Sequence, residues 1–569
     1  MTSLRSELLL LGCLVFLCGR PERQFAAELC RVGLASYATA LPPGAKEPPA
    51  TIFQTARLQG RAKMPTNDWW SSLAWMSYSE RQYPHPLAVQ AGPAGLRVYY
   101  PGNSITANQA AIFGFMPAGT NDDLVLGHSA EAEFSDARVD GFSDWFVQVR
   151  FGDAKLGMTA TYGHGSPFVY ALYDGGRPRL SFAKAPAVWS GSAESPVLGV
   201  TVGKNHYGLF GPTGSTWTGL GTNSLVNHCG AKRHFSIAVL PEATAEALAL
   251  FQRYAYAHVA DTQIAWSYDP QASSVTTTFR YTTTPHEGEA AGTLFALYPH
   301  QWRNTSHKVL TYSYRSVRGA MKLGEGTSFA TRMAFPGVLP VLPYPETRDR
   351  QRLNAYLMED VRRREGEAPA EPHIRDTYWE GKHLGKLAAL LAIAEQCGNT
   401  EAVAALARAI RARLEAWFTA AAPDGRVKPR GLFYYNRAWG TLIGYPASYG
   451  SDTELNDHHF HYGYFIRAAA EIANLDRAWA EDSRWGGLVR LLIRDIASPD
   501  RQDALFPFLR CFDPYAGHSW ASGHARFGDG NNNESSSEAI TPGAASSSGA
   551  RRPATARFGT WASSSTPPR

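Results

Sequence analysis

Residues 384–418 read LGKLAALLAIAEQCGNTEAVAALARAIRARLEAWF. Apolar side chains recur every three or four positions from Leu384 to Gln396 and again from Glu401 to Phe418, the period of two amphipathic helices. Gly398 and Asn399 end the first, and Thr400 is placed to cap the second. The same period returns at Phe465–Leu475 and Leu488–Ile496, and successive helical hairpins of this kind suit an α/α toroid. Upstream, from about residue 66 to 300, short β-prone runs are broken by Gly, Pro, Asn and Asp: Leu96–Tyr100, Trp145–Phe151, His234–Leu240 and Ser274–Tyr281. Alternation and turn signals at this spacing predict a large antiparallel sandwich. Residues 300–375 mix strand-like and loop text, and within them Arg362–Pro372 is a charged Pro/Ala stretch expected to be a solvated insertion. The fold class is multidomain β plus α, with the β domain first.

A chain of 569 residues exceeds what one hydrophobic core serves, so two or three domains are expected. The formal charge of +5 invites a nucleic-acid reading, but its location removes it. Residues 1–40 carry a net +1, and residues 541–569 carry Arg551, Arg552, Arg557 and Arg569 with no acid. The body between them is neutral and offers no polyanion-binding excess. Of six cysteines, Cys13, Cys18 and Cys30 lie near the amino terminus, and the scattered Cys229, Cys397 and Cys511 form neither a disulfide framework nor a zinc pattern. Arg5 followed by the apolar run Leu8–Leu17 is too short to span a bilayer and predicts an export signal, hence a secreted or periplasmic protein. Leu10-Leu11-Gly12-Cys13 has the form of a lipoprotein box, but the apolar run continues past the cysteine, against lipidation. No other segment is long and apolar enough to cross a membrane.

Three stretches concentrate unusual residues. In Asn456-Asp-His-His-Phe-His-Tyr-Gly-Tyr464, three histidines in four positions invite a metal, but neighbours this tight cannot all face one ion and no HExxH spacing supports it. A sugar site is the alternative, with Asp457 as its carboxyl, or simply a helix start with Asp457 as cap. In Asp529–Ile540, Glu534 and Glu538 at i and i+4 share one helix face and either complement the helix dipole or hold and activate a water. In Arg510–Gly523, Tyr515, His518 and Trp520 lie on a Gly- and Pro-interrupted loop, offering stacking platforms for a pyranose ring unless they are core.

Five blocks in order, Pro65–Leu73 (PTNDWWSSL), Asp376–Lys386 (DTYWEGKHLGK), Glu454–Tyr464 (ELNDHHFHYGY), Phe512–Gly523 (FDPYAGHSWASG) and Asn532–Ala539 (NNESSSEA), resemble glycoside hydrolase family 81, the endo-β-1,3-glucanases, over about residues 60–540. After the export segment, taken as 1–38, the resemblance implies a β-sandwich at 39–300, a small linking α/β domain at 301–375 and an (α/α)6 catalytic barrel at 376–540, which the change of text after Ile540 is expected to leave incomplete. It also implies hydrolysis of β-1,3-glucan with inversion and without metal or cofactor, with Asp457 as general acid, Glu534 as general base and Glu538 as a second glutamate beside the base. His461, Asn531, Tyr378, Lys382 and Trp520 are the expected sugar contacts, and a monomer is expected. A carbohydrate-binding protein with an impaired barrel, or a lyase on the same toroid, are the competing readings.

After Ile540 the text turns abruptly to an Arg/Pro/Ser-rich tail over 541–569. Back-translation with G/C-rich codons and one restored base yields an apolar helix, a turn and a second helix. A frameshift is therefore expected, which the nucleotide sequence decides. A barrel built without those helices is expected to be poorly stable and weakly active.

Overall fold

The computed structural model describes residues 28–61, 63–114, 122–337, 349–366 and 375–539. Two large antiparallel sheets face each other in the amino-terminal region. The larger runs Ala187–Ser190, Val197–Val202, Asn205–Phe210, His234–Leu240, Phe168–Asp174, Gly157–Gly163, Phe146–Gly152, Ala137–Phe142. The smaller runs Thr216–Thr218, Ser224–His228, Pro178–Ser181, Leu124–His128, Gly95–Tyr99, Ala88–Gly92. Alternate residues of one sheet (Val147, Val149, Phe151) and of the other (Leu96, Val98, Leu126) are fully buried in one continuous core. The strand His234–Leu240 breaks the alternation, because all its residues are buried: the short helix Ala245–Gln252 covers its second face.

Residues expected to form a separate linking domain join sheets begun upstream. Gly319–Gly326 pairs with Thr293–Leu297, and Ser328–Ala334 pairs with Ser274–Pro285. The expected export segment is likewise divided. Leu29–Val32 and Ala35–Ala38 form a hairpin that joins Leu432–Asn436 and Thr441–Tyr445 in one sheet, with Ser36 donating to the Phe418 carbonyl at 2.8 Å. The run Leu8–Leu17 lies outside the described residues.

Among the described residues, the long helices of the carboxy-terminal half are α1 (Arg350–Gly366), α2 (Thr377–Cys397), α3 (Thr400–Trp417), α4 (His458–Leu475) and α5 (Gly486–Ala497). Helix α1 runs into the stretch expected as a solvated insertion; Leu357 and Val361, one turn apart, are buried and dock it. Residues 367–374 and 540–569 lie outside the described residues, and with them most of the insertion and the expected frameshifted tail. Helix α2 starts well before Leu384 because Asp376 caps it, accepting from the Trp379 amide at 2.9 Å. At the next junction Gly398 is left-handed, as its place after a helix predicts, but the cap of α3 is Asn399 rather than Thr400. Helix α4 starts at His458, not Phe465: its first turns are buried all round and show no amphipathic period to read.

Helices α2 and α4 pack closely because α2 presents glycine at i and i+4. A Cβ at Gly385 would sit 2.6 Å from the Tyr464 ring, and one at Gly381 would sit 3.0 Å from the His461 carbonyl. This approach brings Tyr378 and Lys382 of α2 against His461 and Tyr464 of α4.

Candidate active site

A cleft of about 460 Å³ opens at the amino-terminal end of α4. Tyr378, Tyr449, Asp457, His461, Glu534 and Glu538 line it, so the structure brings together the three carboxyls and two of the expected sugar contacts. Asp457 occupies the cap position of α4 but does not cap it. Its backbone is left-handed (φ 62°, ψ 17°), its amide donates to the Ala521 carbonyl at 3.0 Å, and its side chain makes no cap hydrogen bond. One carboxyl oxygen, Oδ1, is buried without a partner among the described residues. Burial, and after it the charges of Glu534 and Glu538, raise this carboxyl from 3.8 to about 7. A carboxylic acid still protonated near neutrality is suited to give a proton to an uncharged oxygen.

Glu538 is its opposite. Its Oε1 accepts from the Tyr464 hydroxyl at 2.6 Å, the Tyr378 hydroxyl at 3.1 Å and Lys382 Nζ at 3.2 Å. Burial pushes Glu538 up, but the donors, Tyr464 foremost, outweigh it and hold the group below its usual range as a carboxylate. Glu534 is exposed at the mouth of the cleft, and no described residue donates to it. The two glutamates share the cleft without sharing a helix face, since the helical turn covers only 536–539 and starts after Glu534.

His461 lies inside the wall of the cleft. Its Nδ1 is 2.8 Å from Thr377 Oγ1, and its Nε2 is buried without a partner among the described residues. Burial, then the neighbouring His458 and His459, lower it to about 3, so the ring is neutral.

Trp520 and Asn531 lie elsewhere. They line a second cleft of about 380 Å³ with Trp69, Tyr83, His85 and Arg318. Trp520 Nε1 donates to Asp513 at 3.0 Å. Asn531 donates to the carbonyls of Asp68 and Ser522 at 3.2 and 2.9 Å and accepts from the Ser522 amide at 3.2 Å. The loop carrying it is the wall between the clefts: Gly530 and Asn531 line one, Asn532 and Glu534 the other. Tyr515 is no stacking platform. It is fully buried, its hydroxyl donates to the Ala296 carbonyl at 2.9 Å, and its ring stacks on His164 at 5.8 Å, so it fastens the loop to the β region. A larger cavity, about 520 Å³ beside Asp144, Arg501 and Phe508, holds none of the three carboxyls.

Sequence reasoning did not single out Tyr464, whose hydroxyl holds Glu538, or Tyr449, which lines the cleft. Tyr464 had a signal, because positions 457, 461 and 464 fall on one face of a helix. Tyr449 had none beyond its turn-rich surroundings; its left-handed backbone (φ 52°) aims it.

The model of the glycosyl hydrolase family 81 C-terminal domain matches residues 346–547. The chain belongs to glycoside hydrolase family 81. A glucan endo-1,3-beta-D-glucosidase of Acetivibrio thermocellus is 48% identical over 502 residues, covering 88% of this chain and 63% of the relative. One of Thermobifida fusca is 42% identical over 549 residues, covering 95% of this chain and 70% of the relative. A solved family 81 structure from Clostridium thermocellum (CtLam81A, a mutant form) superposes with a TM-score of 0.86 at 46% identity, covering 94% of this chain and 73% of that one. The chain thus spans less than two thirds of the length of the first of these relatives.

Proposed function

We propose that the protein hydrolyses internal linkages of β-1,3-glucan with inversion. The observation that carries this is the pairing of an acid raised to about 7, Asp457, with two glutamates in one cleft of a family 81 chain. Asp457 protonates the departing glycosidic oxygen, and a carboxylate across the sugar ring takes a proton from the attacking water. Glu534 is the better base. Three donors already occupy Glu538 Oε1, and a carboxylate so stabilised is a poor proton acceptor. Glu538 keeps a negative charge in the cleft, which favours the protonated form of Asp457. Tyr378, Lys382 and the free Nε2 of His461 are the proposed contacts of the sugar beside the acid, and Trp520 and Asn531 of a sugar farther along the chain. The neutral body fits an uncharged polysaccharide, and no metal or cofactor enters the mechanism. We further propose that the protein is exported and monomeric, and that its helices belong to an (α/α)6 barrel.

Asp457→Asn and Glu534→Gln, assayed on laminarin and curdlan, test the assignment. Each is expected to lower kcat by about 10²–10⁴-fold, the usual worth of general acid or base catalysis, and near-wild-type turnover of either refutes its role. NMR of the first anomer released is expected to show the α form. Retention on insoluble curdlan with no oligosaccharide released would instead identify a glucan-binding protein without turnover.

A further inference from the structure

An aspartate at a helix cap ordinarily turns back to accept from the first-turn amides, which hides the carboxylate and stabilises its charge. Asp457 does not, and both it and Leu455 hold the left-handed backbone that side-chain-bearing residues seldom adopt. Something must fix that turn. The next residue, His458, is fully buried, and both its ring nitrogens face acceptors: Nδ1 lies 2.8 Å from Asp495 Oδ2, and Nε2 lies 2.8 Å from the Ser451 carbonyl. The ring thus ties the chain just before the turn to α5. Asp495, also fully buried, accepts from Thr441 Oγ1 at 2.8 Å and the Leu442 amide at 3.0 Å through its other oxygen. Arg510 locks the back of the network, donating to the Asp495 carbonyl at 2.9 Å, to Thr66 Oγ1 at 2.8 Å and to the Gly440 carbonyl.

We propose that His458, braced by Asp495 and Arg510, is a positioning residue for the proton donor: it holds the 455–457 turn so that Asp457 faces the glycosidic oxygen and not the end of its own helix. The inference rests on the reading of Asp457 as general acid. Without the brace the turn relaxes, the carboxyl swings into the ordinary cap, and proton donation fails while the sugar-binding wall, carried by α2 and the rest of α4, stays in place.

The experiment compares laminarin with 2,4-dinitrophenyl β-laminaritrioside, whose leaving group departs without a proton. His458→Gln and Asp495→Asn are expected to lower kcat on laminarin at least roughly 30-fold, within the worth of general acid catalysis, with KM little changed, and to lower turnover of the aryl glycoside less than about threefold. His458→Asn, which keeps an amide donor toward Asp495, is expected to recover part of the laminarin activity. Equal losses on both substrates, or wild-type turnover of laminarin, overturn the proposal. Should Asp495→Asn fail to fold by circular dichroism, the two His458 variants decide. Asp457→Asn is the reference: if it shows no split between the substrates, the general-acid reading itself has failed, whereas a split in Asp457→Asn without one in the His458 variants rejects only the positioning role.

Discussion

The two sides of the cleft are built differently. On the side of Asp457, a turn of disfavoured backbone is packed into the protein, hydrogen-bonded to Ala521 and followed by a fully buried helix end. On the side of the glutamates, an irregular segment carries an exposed Glu534 ahead of a short helical turn, which reaches the body through a fan of side-chain donors on Glu538. The difference follows from the proposed chemistry. A proton donor must be kept out of water to stay protonated near neutrality, so it belongs on rigid, buried backbone. A group that activates water must meet water, so it sits at the rim, and rigidity reaches it second-hand through its neighbour.

The most damaging way to break this contrast is to remove the acid's charge without its shape. In Asp457→Asn the loss of turnover on laminarin is expected to be about 10³-fold. The fall in wild-type kcat/KM above about pH 7, where Asp457 ionises, is expected to disappear from the residual activity. Stability should move the other way. Because the folded-state pKa is raised, the carboxyl favours folding only while protonated, and that contribution is lost between pH 3.8 and about 7. The amide has no such penalty, so the variant is expected to be more stable than wild type at pH 8 by about 1–2 kcal/mol, allowing for solvent screening at the cleft. Chemical denaturation at pH 4 and pH 8 measures this, and an equal difference at the two values contradicts it.

The same contrast explains what could be read in advance. The helix pair in Leu384–Phe418 was legible because each helix is half buried and its period survives in the sequence. The start of α4 was not, since His458, His459, Phe460, His461 and Tyr462 are all buried and leave no polar face. Where the mixed strand and loop text of 300–375 forms strands, over 313–334, its partners Ser274–Pro285 and Thr293–Leu297 could not be read in advance, because such pairing is a long-range fact with no local trace. In the site, carboxyls and histidines could be named from their blocks. The division between the clefts could not, because it depends on Asn531 turning its amide to Asp68 and Ser522.

A smaller effect is expected on the glutamate side. Tyr464→Phe removes the shortest of the donors to Glu538, at 2.6 Å, and leaves the ring in place. With Tyr378 and Lys382 still bonded, the carboxylate is held less firmly but not released, and kcat/KM on laminarin is expected to fall about tenfold, the worth of one hydrogen bond to a charged group. Thermal stability should change little. If Tyr464→Phe is as harmful as Asp457→Asn, the glutamate side is no less exacting than the acid side, and the two sides of the cleft do not differ in this way.

The finest test moves the helices that carry the donors. Gly385→Ala replaces a glycine inside α2, which by helix propensity alone is favourable by about 1 kcal/mol. Its new Cβ, however, lands 2.6 Å from the Tyr464 ring, and such overpacking costs about 1–3 kcal/mol. The two terms nearly cancel, so the unfolding free energy is expected to drop by no more than about 2 kcal/mol. Function reports the displacement more clearly, because the ring that must yield carries the hydroxyl bonded to Glu538. A loss of about threefold in kcat/KM, on the order of half a hydrogen bond, is expected in Gly385→Ala, and none in the double variant Gly385→Ala with Tyr464→Phe beyond that of Tyr464→Phe alone. Additive losses in that cycle would show that the α2–α4 approach acts on the site by some route other than the clamp on Glu538.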